Sequence, residues 1–218
     1  MAEPGASEGA AHRLPPTSRL AAGEKEGGLV GSHAGAGLRI AVACARFNQD
    51  VTLRLLAGAR EAMGRLGVVA DGDDPPLVVW VPGAFELPLA ARAVLEAGRA
   101  EAVVALGCVI RGETSHYDFV AGECAAGLQR VQLDTGAPAV FGVLTTETLE
   151  QALERSGGSY GNKGAEAVET AVEMVNLLRA VRTGGPGGRA RPGRAGAGPL
   201  ARGDEAGGFV GDASDATA

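Results

Sequence analysis

Five short strings hold most of the residues of this chain that could do chemistry. They are Arg46-Phe47-Asn48, Pro82-Gly83-Ala84-Phe85-Glu86, Arg111-Gly112-Glu113-Thr114-Ser115-His116, Thr145-Thr146 and residues 157–164. His116 is the only histidine of the patterned block, since His12 and His33 lie upstream of it. An imidazole ordinarily titrates near neutrality, so a lone histidine opening a helix is an acid/base candidate. The alternative is a helix cap or a solvated side chain. Gly112, Glu113, Thr114 and Ser115 precede the same helix, where backbone N–H groups and hydroxyls suit a phosphate. An ordinary capping turn uses the same residue types. Phe47, leaving a strand between Arg46 and Asn48, can stack on a planar heterocycle or staple the next helix. Glu86 follows Phe85 at a helix start, where the dipole favours a carboxylate in any case. The string Gly157-Gly158-Ser159-Tyr160-Gly161-Asn162-Lys163-Gly164 only imitates a P-loop. It follows a helix, Asn162 stands where the second glycine is needed, and Gly164 replaces the Ser/Thr after Lys163. Lys163 remains a single cation that either meets a ligand or faces solvent. With one histidine and no Cys-x-x-Cys pair, no metal site is expected.

The elements that must position these strings read clearly. Residues 38–45, 77–81, 102–110 and 139–144 are short apolar runs, expected as buried strands. Between and after them, residues 48–66, 85–97, 116–134, 148–155 and 162–182 repeat apolar residues at helical spacing. Strands alternating with helices predict βαβ units and a parallel sheet covered on both faces. In such sheets ligands bind outside the carboxyl ends of the strands, where these strings fall. Residues 1–37 and 183–218 are rich in Gly, Ala, Pro and Arg without hydrophobic period, and are expected as a mostly disordered N-terminal tail and a disordered C-terminal tail. Arg202-Gly203-Asp204 in the second is read as a chance match to an adhesion tripeptide. Asp71, Asp73 and Asp74 fall in a Gly/Pro turn and read as solvated.

The net charge of -6 provides no general field for nucleic acid or an anionic membrane, so an anionic ligand must be held locally. No run of about 18 apolar residues is present, and the N-terminus lacks the apolar stretch of a secretory signal. Cys44, Cys108 and Cys124 form no framework and sit in apolar patterns, which fits core residues in a reducing cytoplasm.

Taken in order, Arg46–Asn48, residues 81–88 (VPGAFELP), 107–118 (GCVIRGETSHYD), 141–146 (FGVLTT), 150–155 (EQALER) and 162–164 (NKG) resemble the 6,7-dimethyl-8-ribityllumazine synthase family of riboflavin biosynthesis. The resemblance covers about residues 37–182 and excludes both tails. It implies a flavodoxin-like three-layer α/β sandwich with a four-stranded parallel sheet. It further implies pentamers, which in many members close into a sixty-subunit shell, and active sites between neighbouring subunits with no metal or organic cofactor. The implied reaction condenses 5-amino-6-(D-ribitylamino)uracil with 3,4-dihydroxy-2-butanone 4-phosphate.

Carried onto this chain, the family pattern gives Phe47 a stacking role on the pyrimidine. Ala84, Phe85 and Glu86 hold the ribityl chain, and the Val109 and Ile110 backbone bonds the ring. Gly112, Glu113 and Thr114 hold the phosphate, and His116 moves protons. From the neighbouring subunit, Phe141 covers the ring, Arg155 pairs with the phosphate, and Lys163 lies at the uracil edge with Glu166 one turn on. A segment just before the first strand adds to a neighbour's sheet in the family, which singles out Leu29-Val30. Two other readings share the pocket: a flavin- or riboflavin-binding protein, and a shell whose role is enclosure. The first has no need of both His116 and Arg155.

Overall fold

A computed structural model of the chain describes residues 28–68 and 75–184. The bulk of both expected tails, His12, Arg202-Gly203-Asp204 and the Asp71, Asp73 and Asp74 turn lie outside the described residues. In chain order the elements are β1 (Ile40–Ala45), α1 (Gln49–Leu66), β2 (Val78–Val81), a 3-10 turn (Ala84–Glu86), α2 (Leu87–Glu96), β3 (Ala102–Ile110), α3 (His116–Thr135), β4 (Ala139–Thr146), α4 (Leu149–Arg155), β5 (Ser156–Gly158), β6 (Gly161–Asn162) and α5 (Lys163–Thr183).

β1 to β4 form one all-parallel sheet in the order β2-β1-β3-β4. Strand residues alternate between its two faces. Val42, Cys44, Val104 and Leu106 pack against α1 and α5 through Leu55, Met63, Val168 and Val172. Ala41, Ala43, Val103 and Ala105 pack against α2 and α3 through Leu87, Val94, Leu128 and Val131. This is the expected three-layer sandwich of the flavodoxin-like type. Residues 40–45 and 102–110 read as uninterrupted apolar strings because both of their faces are covered.

Three local differences from the sequence reading have physical causes. Asn48 is not helical. It lies in the left-handed region at φ 54, the only non-glycine residue at positive φ among those described, and α1 starts at Gln49. The expected helix over 85–97 is split into the 3-10 turn and α2, with Pro88 within the first two positions of α2, where a missing N–H is harmless. Residues 157–161, expected as a plain connection, belong to a tight antiparallel β5–β6 hairpin.

The N-terminal tail expected over 1–37 enters the described residues at Gly28, and its last part is packed. Asn176 Nδ2 donates to the carbonyls of Ser32 and Ala34 at 2.8 and 2.9 Å, and Gly35 N donates to Leu66 O at 2.9 Å. His33 pairs with Glu173 at 3.3 Å. Gly31 and Gly35 are buried where a Cβ would overlap α5 and the end of α1. Contacts made by glycine backbone leave no mark in a hydrophobic pattern.

All three cysteines are free and buried. Desolvation pushes the Cys44 and Cys108 thiols up to about 11 and the Cys124 thiol up to about 12. Next to Cys44, the Thr52 hydroxyl is fully buried without a conventional hydrogen-bond partner. The Cys44 thiol beside it is a weak partner. A buried hydroxyl without a partner costs about 1–3 kcal/mol. Thr52→Val, which keeps the shape and removes the polar atom, should therefore raise the melting temperature by roughly 2–4 °C, corresponding to about 1 kcal/mol in a chain of this size. A thermal melt in which the variant unfolds earlier would show that the hydroxyl is satisfied in solution.

Candidate active site

The parallel register brings the carboxyl ends of all four strands to one edge. Ala45 pairs with Val81, and Ile110 pairs with Thr146. The chain leaves β1 toward β2 on one side and crosses back to β3 on the other. The topological switch therefore lies between β1 and β3, the usual ligand crevice of an open α/β sheet.

Three loops are joined at this crevice. Phe47 N donates to Pro82 O at 3.1 Å, and Arg46 N donates to Val81 O at 2.9 Å. Asn48 Nδ2 donates to Cys108 O at 2.9 Å, spanning from the β1 loop to β3. The left-handed turn at Asn48 ends β1 abruptly and leaves the Phe47 ring 69% exposed at the rim. Phe85 is 56% exposed on the neighbouring 3-10 turn, above a buried Ala84. Glu86 Oε2 accepts from Gly83 N at 3.0 Å, which holds that turn.

Val109 is buried at the end of β3, and Ile110 follows it half-buried. The loop from Gly112 to Ser115 is exposed and runs into α3. His116 is the first residue of α3, exposed, with its N–H donated to Thr114 Oγ1 at 3.4 Å. Ser115 occupies the cap position, so the capping explanation for His116 falls away.

Arg111, to which the sequence reading gave no role of its own, ties this loop down. Its guanidinium bonds Glu147 after β4 at 2.9 Å and Asp118 in α3 at 3.1 Å, and lies 4.0 Å from the centre of the Tyr117 ring. The Glu147 bond, followed by Asp118, holds its pKa above the ordinary arginine value. Asn48 was likewise missed as a crosslink. The one available signal was a small polar residue able to adopt left-handed backbone directly after a strand.

The other candidates sit elsewhere in the chain. Phe141 is 41% exposed on β4 opposite Ala105, five residues before the carboxyl end at Thr146. At strand rise that is roughly 16 Å along the sheet from the edge that carries His116. Arg155 ends α4, its Nη1 donating to Gln151 O at 3.0 Å. Lys163 starts α5 and is paired with Glu166 at 2.8 and 2.9 Å, so its charge is balanced within the first turn. Asn162 caps that helix, its side-chain oxygen accepting from Gly164 N and Ala165 N. Thus one chain gathers Phe47, Ala84, Phe85, Glu86, Val109, Ile110, Gly112, Glu113, Thr114 and His116 at one edge, and holds Phe141 apart from it. Among the described residues, no group of three or more His, Cys, Asp or Glu is arranged to hold a metal ion. No helix among them is long and apolar enough to cross a membrane.

The fold is an open parallel α/β sheet, with the exposed Phe47 after β1 and the exposed loop that opens α3 after β3 on either side of the switch point. Residues 37–179 match the family model for 6,7-dimethyl-8-ribityllumazine synthase. A curated relative of that name from Edwardsiella ictaluri (strain 93-146) is 56% identical over 144 residues, covering 66% of this chain and 91% of the relative. The chain belongs to the 6,7-dimethyl-8-ribityllumazine synthase family.

Proposed function

We propose that this protein condenses 5-amino-6-(D-ribitylamino)uracil with 3,4-dihydroxy-2-butanone 4-phosphate to 6,7-dimethyl-8-ribityllumazine, releasing phosphate and water, in the cytoplasm. The observation that carries the reading is the crevice between β1 and β3. There the exposed Phe47 follows β1, and the exposed loop that runs into His116 follows β3.

The uracil's primary amine attacks the ketone and gives an imine with loss of water. Phosphate then leaves, and the ribitylamino nitrogen closes the second ring with loss of a second water. Every step moves a proton, so a single imidazole can serve repeatedly. Phe47 stacks on the pyrimidine. Ala84, Phe85 and Glu86 receive the ribityl chain, and the Val109 and Ile110 backbone bonds the ring. Gly112, Glu113 and Thr114 take the phosphate at the start of α3, where N–H donors and the helix dipole favour an anion. The remainder of the acceleration comes from holding two reactants in contact.

The site is completed by a second subunit that supplies Phe141, Arg155, Lys163 and Glu166. The distance of Phe141 from the carboxyl edge of its own sheet supports this, because its ring cannot cover a ligand there. Head-to-tail contacts of this kind close into rings. The family resemblance supports a pentamer, and because the short Gly-rich connection over 157–161 resembles that of shell-forming members it also supports the sixty-subunit shell.

The test is mixed reassembly of His116→Ala and Arg155→Ala subunits, followed by measurement of lumazine formation. In equal random mixture about a quarter of the sites receive an intact face from each parent. Assayed with the sugar phosphate far below its KM, activity should rise to about a quarter of wild type, while each variant reassembled alone shows only its small residual rate. Particles of correct size that show only the parental average would place each site within one subunit. A wild-type protein that binds product but forms none would favour the flavin-binding reading.

A further inference from the structure

Tyr160 occupies one of the two turn residues of the β5–β6 hairpin, between the paired Gly158 and Gly161. Left-handed backbone falls on Gly157 and Gly161 beside the turn and not on Tyr160, so the turn geometry makes no demand on this side chain. An aromatic residue has no local reason to be there. Its ring lies instead under the Arg155 guanidinium, 4.5 Å from ring centre to the guanidinium carbon. We propose that Tyr160 is a positioning residue that holds Arg155 in place for the phosphate of the sugar substrate. The inference rests on the reading of Arg155 as the phosphate ligand.

Arginine recognises phosphate through the N–H groups on the edge of its plane, whereas an aromatic ring engages the face of that plane. The two contacts are therefore compatible. Stacking on Tyr160 covers one face, and the bond from Nη1 to Gln151 O uses one edge donor. The remaining donors stay free for an anion. Among the described residues no carboxylate forms an ion pair with Arg155. The adjacent Glu154 is engaged by the hairpin, accepting from Ser159 N at 2.8 Å and from the Ser159 hydroxyl. These bonds hold its carboxyl below the ordinary glutamate range. They also anchor the turn, as does Tyr160 N donating to Glu154 O at 3.0 Å. The hairpin thus fixes the ring, and the ring fixes a long side chain that would otherwise lose rotamer freedom on meeting phosphate.

The experiment compares Tyr160→Ala, Tyr160→Leu, Tyr160→Phe and Arg155→Ala in assembled enzyme. Tyr160→Ala and Tyr160→Leu should raise KM for 3,4-dihydroxy-2-butanone 4-phosphate by about two- to fivefold, the size of an exposed cation–π contact. KM for the ribitylamino-uracil and kcat should stay close to wild type. Inhibition by inorganic phosphate should weaken by the same factor. Tyr160→Phe, which keeps the ring, should behave as wild type. Tyr160→Leu fills the space without a π face, so it separates stacking from packing should the alanine variant assemble poorly. Normal sugar-phosphate KM in Tyr160→Leu beside a raised KM in Arg155→Ala would overturn the role of Tyr160 alone. An unchanged KM in Arg155→Ala would remove the phosphate reading on which it stands. Equal rises for both substrates would make Tyr160 a purely structural residue.

Discussion

The His116→Ala enzyme should turn over about 10²–10⁴-fold more slowly than wild type, the usual contribution of a positioned acid/base group. Its KM values should change little, because the substitution removes a proton carrier rather than a binding surface. The fold should survive. The side chain is exposed, and α3 is anchored through Cys124, Leu128 and Val131 on its other face. The N–H donated to Thr114 Oγ1 belongs to the backbone and is kept by alanine. Residual activity should remain well above the solution reaction, since orientation and phosphate binding are untouched. Steady-state kinetics with both substrates decide the matter: an unchanged kcat would take His116 out of the mechanism.

An effect of comparable size, on stability instead of rate, is expected for Gly164→Ala. Gly164 is buried in the first turn of α5, and a Cβ there would overlap the carbonyl oxygen of Leu55 in α1 and come within 2.8 Å of its carbonyl carbon. Those are backbone atoms, so no side chain can swing aside. Alanine is ordinarily the better helix residue by about 0.8–1 kcal/mol. Here the clash should reverse that sign and cost roughly 3 kcal/mol, the upper end for overpacking. The melting temperature should then fall by roughly 6–12 °C. Separation of α5 from α1 should also shift Lys163 and the Asn162 cap, and with them the face proposed to meet a neighbouring subunit. A thermal melt matching wild type would mean that the two helices can part at little cost.

The contrast between these residues shows what hydrophobic pattern can convey. The strands around 38–45 and 102–110 were legible because both faces of a covered parallel sheet are apolar. Once the sheet was inferred, the edge carrying Phe47, Glu86 and His116 followed from its polarity. Gly164, Gly31 and Gly35 gave no such signal, because their role is to let two backbones approach. Asn48, Arg111 and Tyr160 were equally silent, since each acts through one directed contact across elements distant in sequence. Phe141 and Arg155 came only from family resemblance, which also decided between the two readings left open for Lys163. Nothing in the periodicity of β4, α4 or α5 distinguishes a residue offered to another subunit from one offered to water.

The three buried thiols have a practical consequence. Maleimides and disulfide reagents attack the thiolate, which is scarce when the pKa lies near 11 or 12. Burial also keeps the reagent away. Towards such reagents the folded chain should behave as though it contained no cysteine. One engineered on its exterior becomes a unique attachment point for a dye or a cargo, with the native three left in place. In denaturant the same three become a chromogenic count of opened chains, a readout of folding that needs neither substrate nor label.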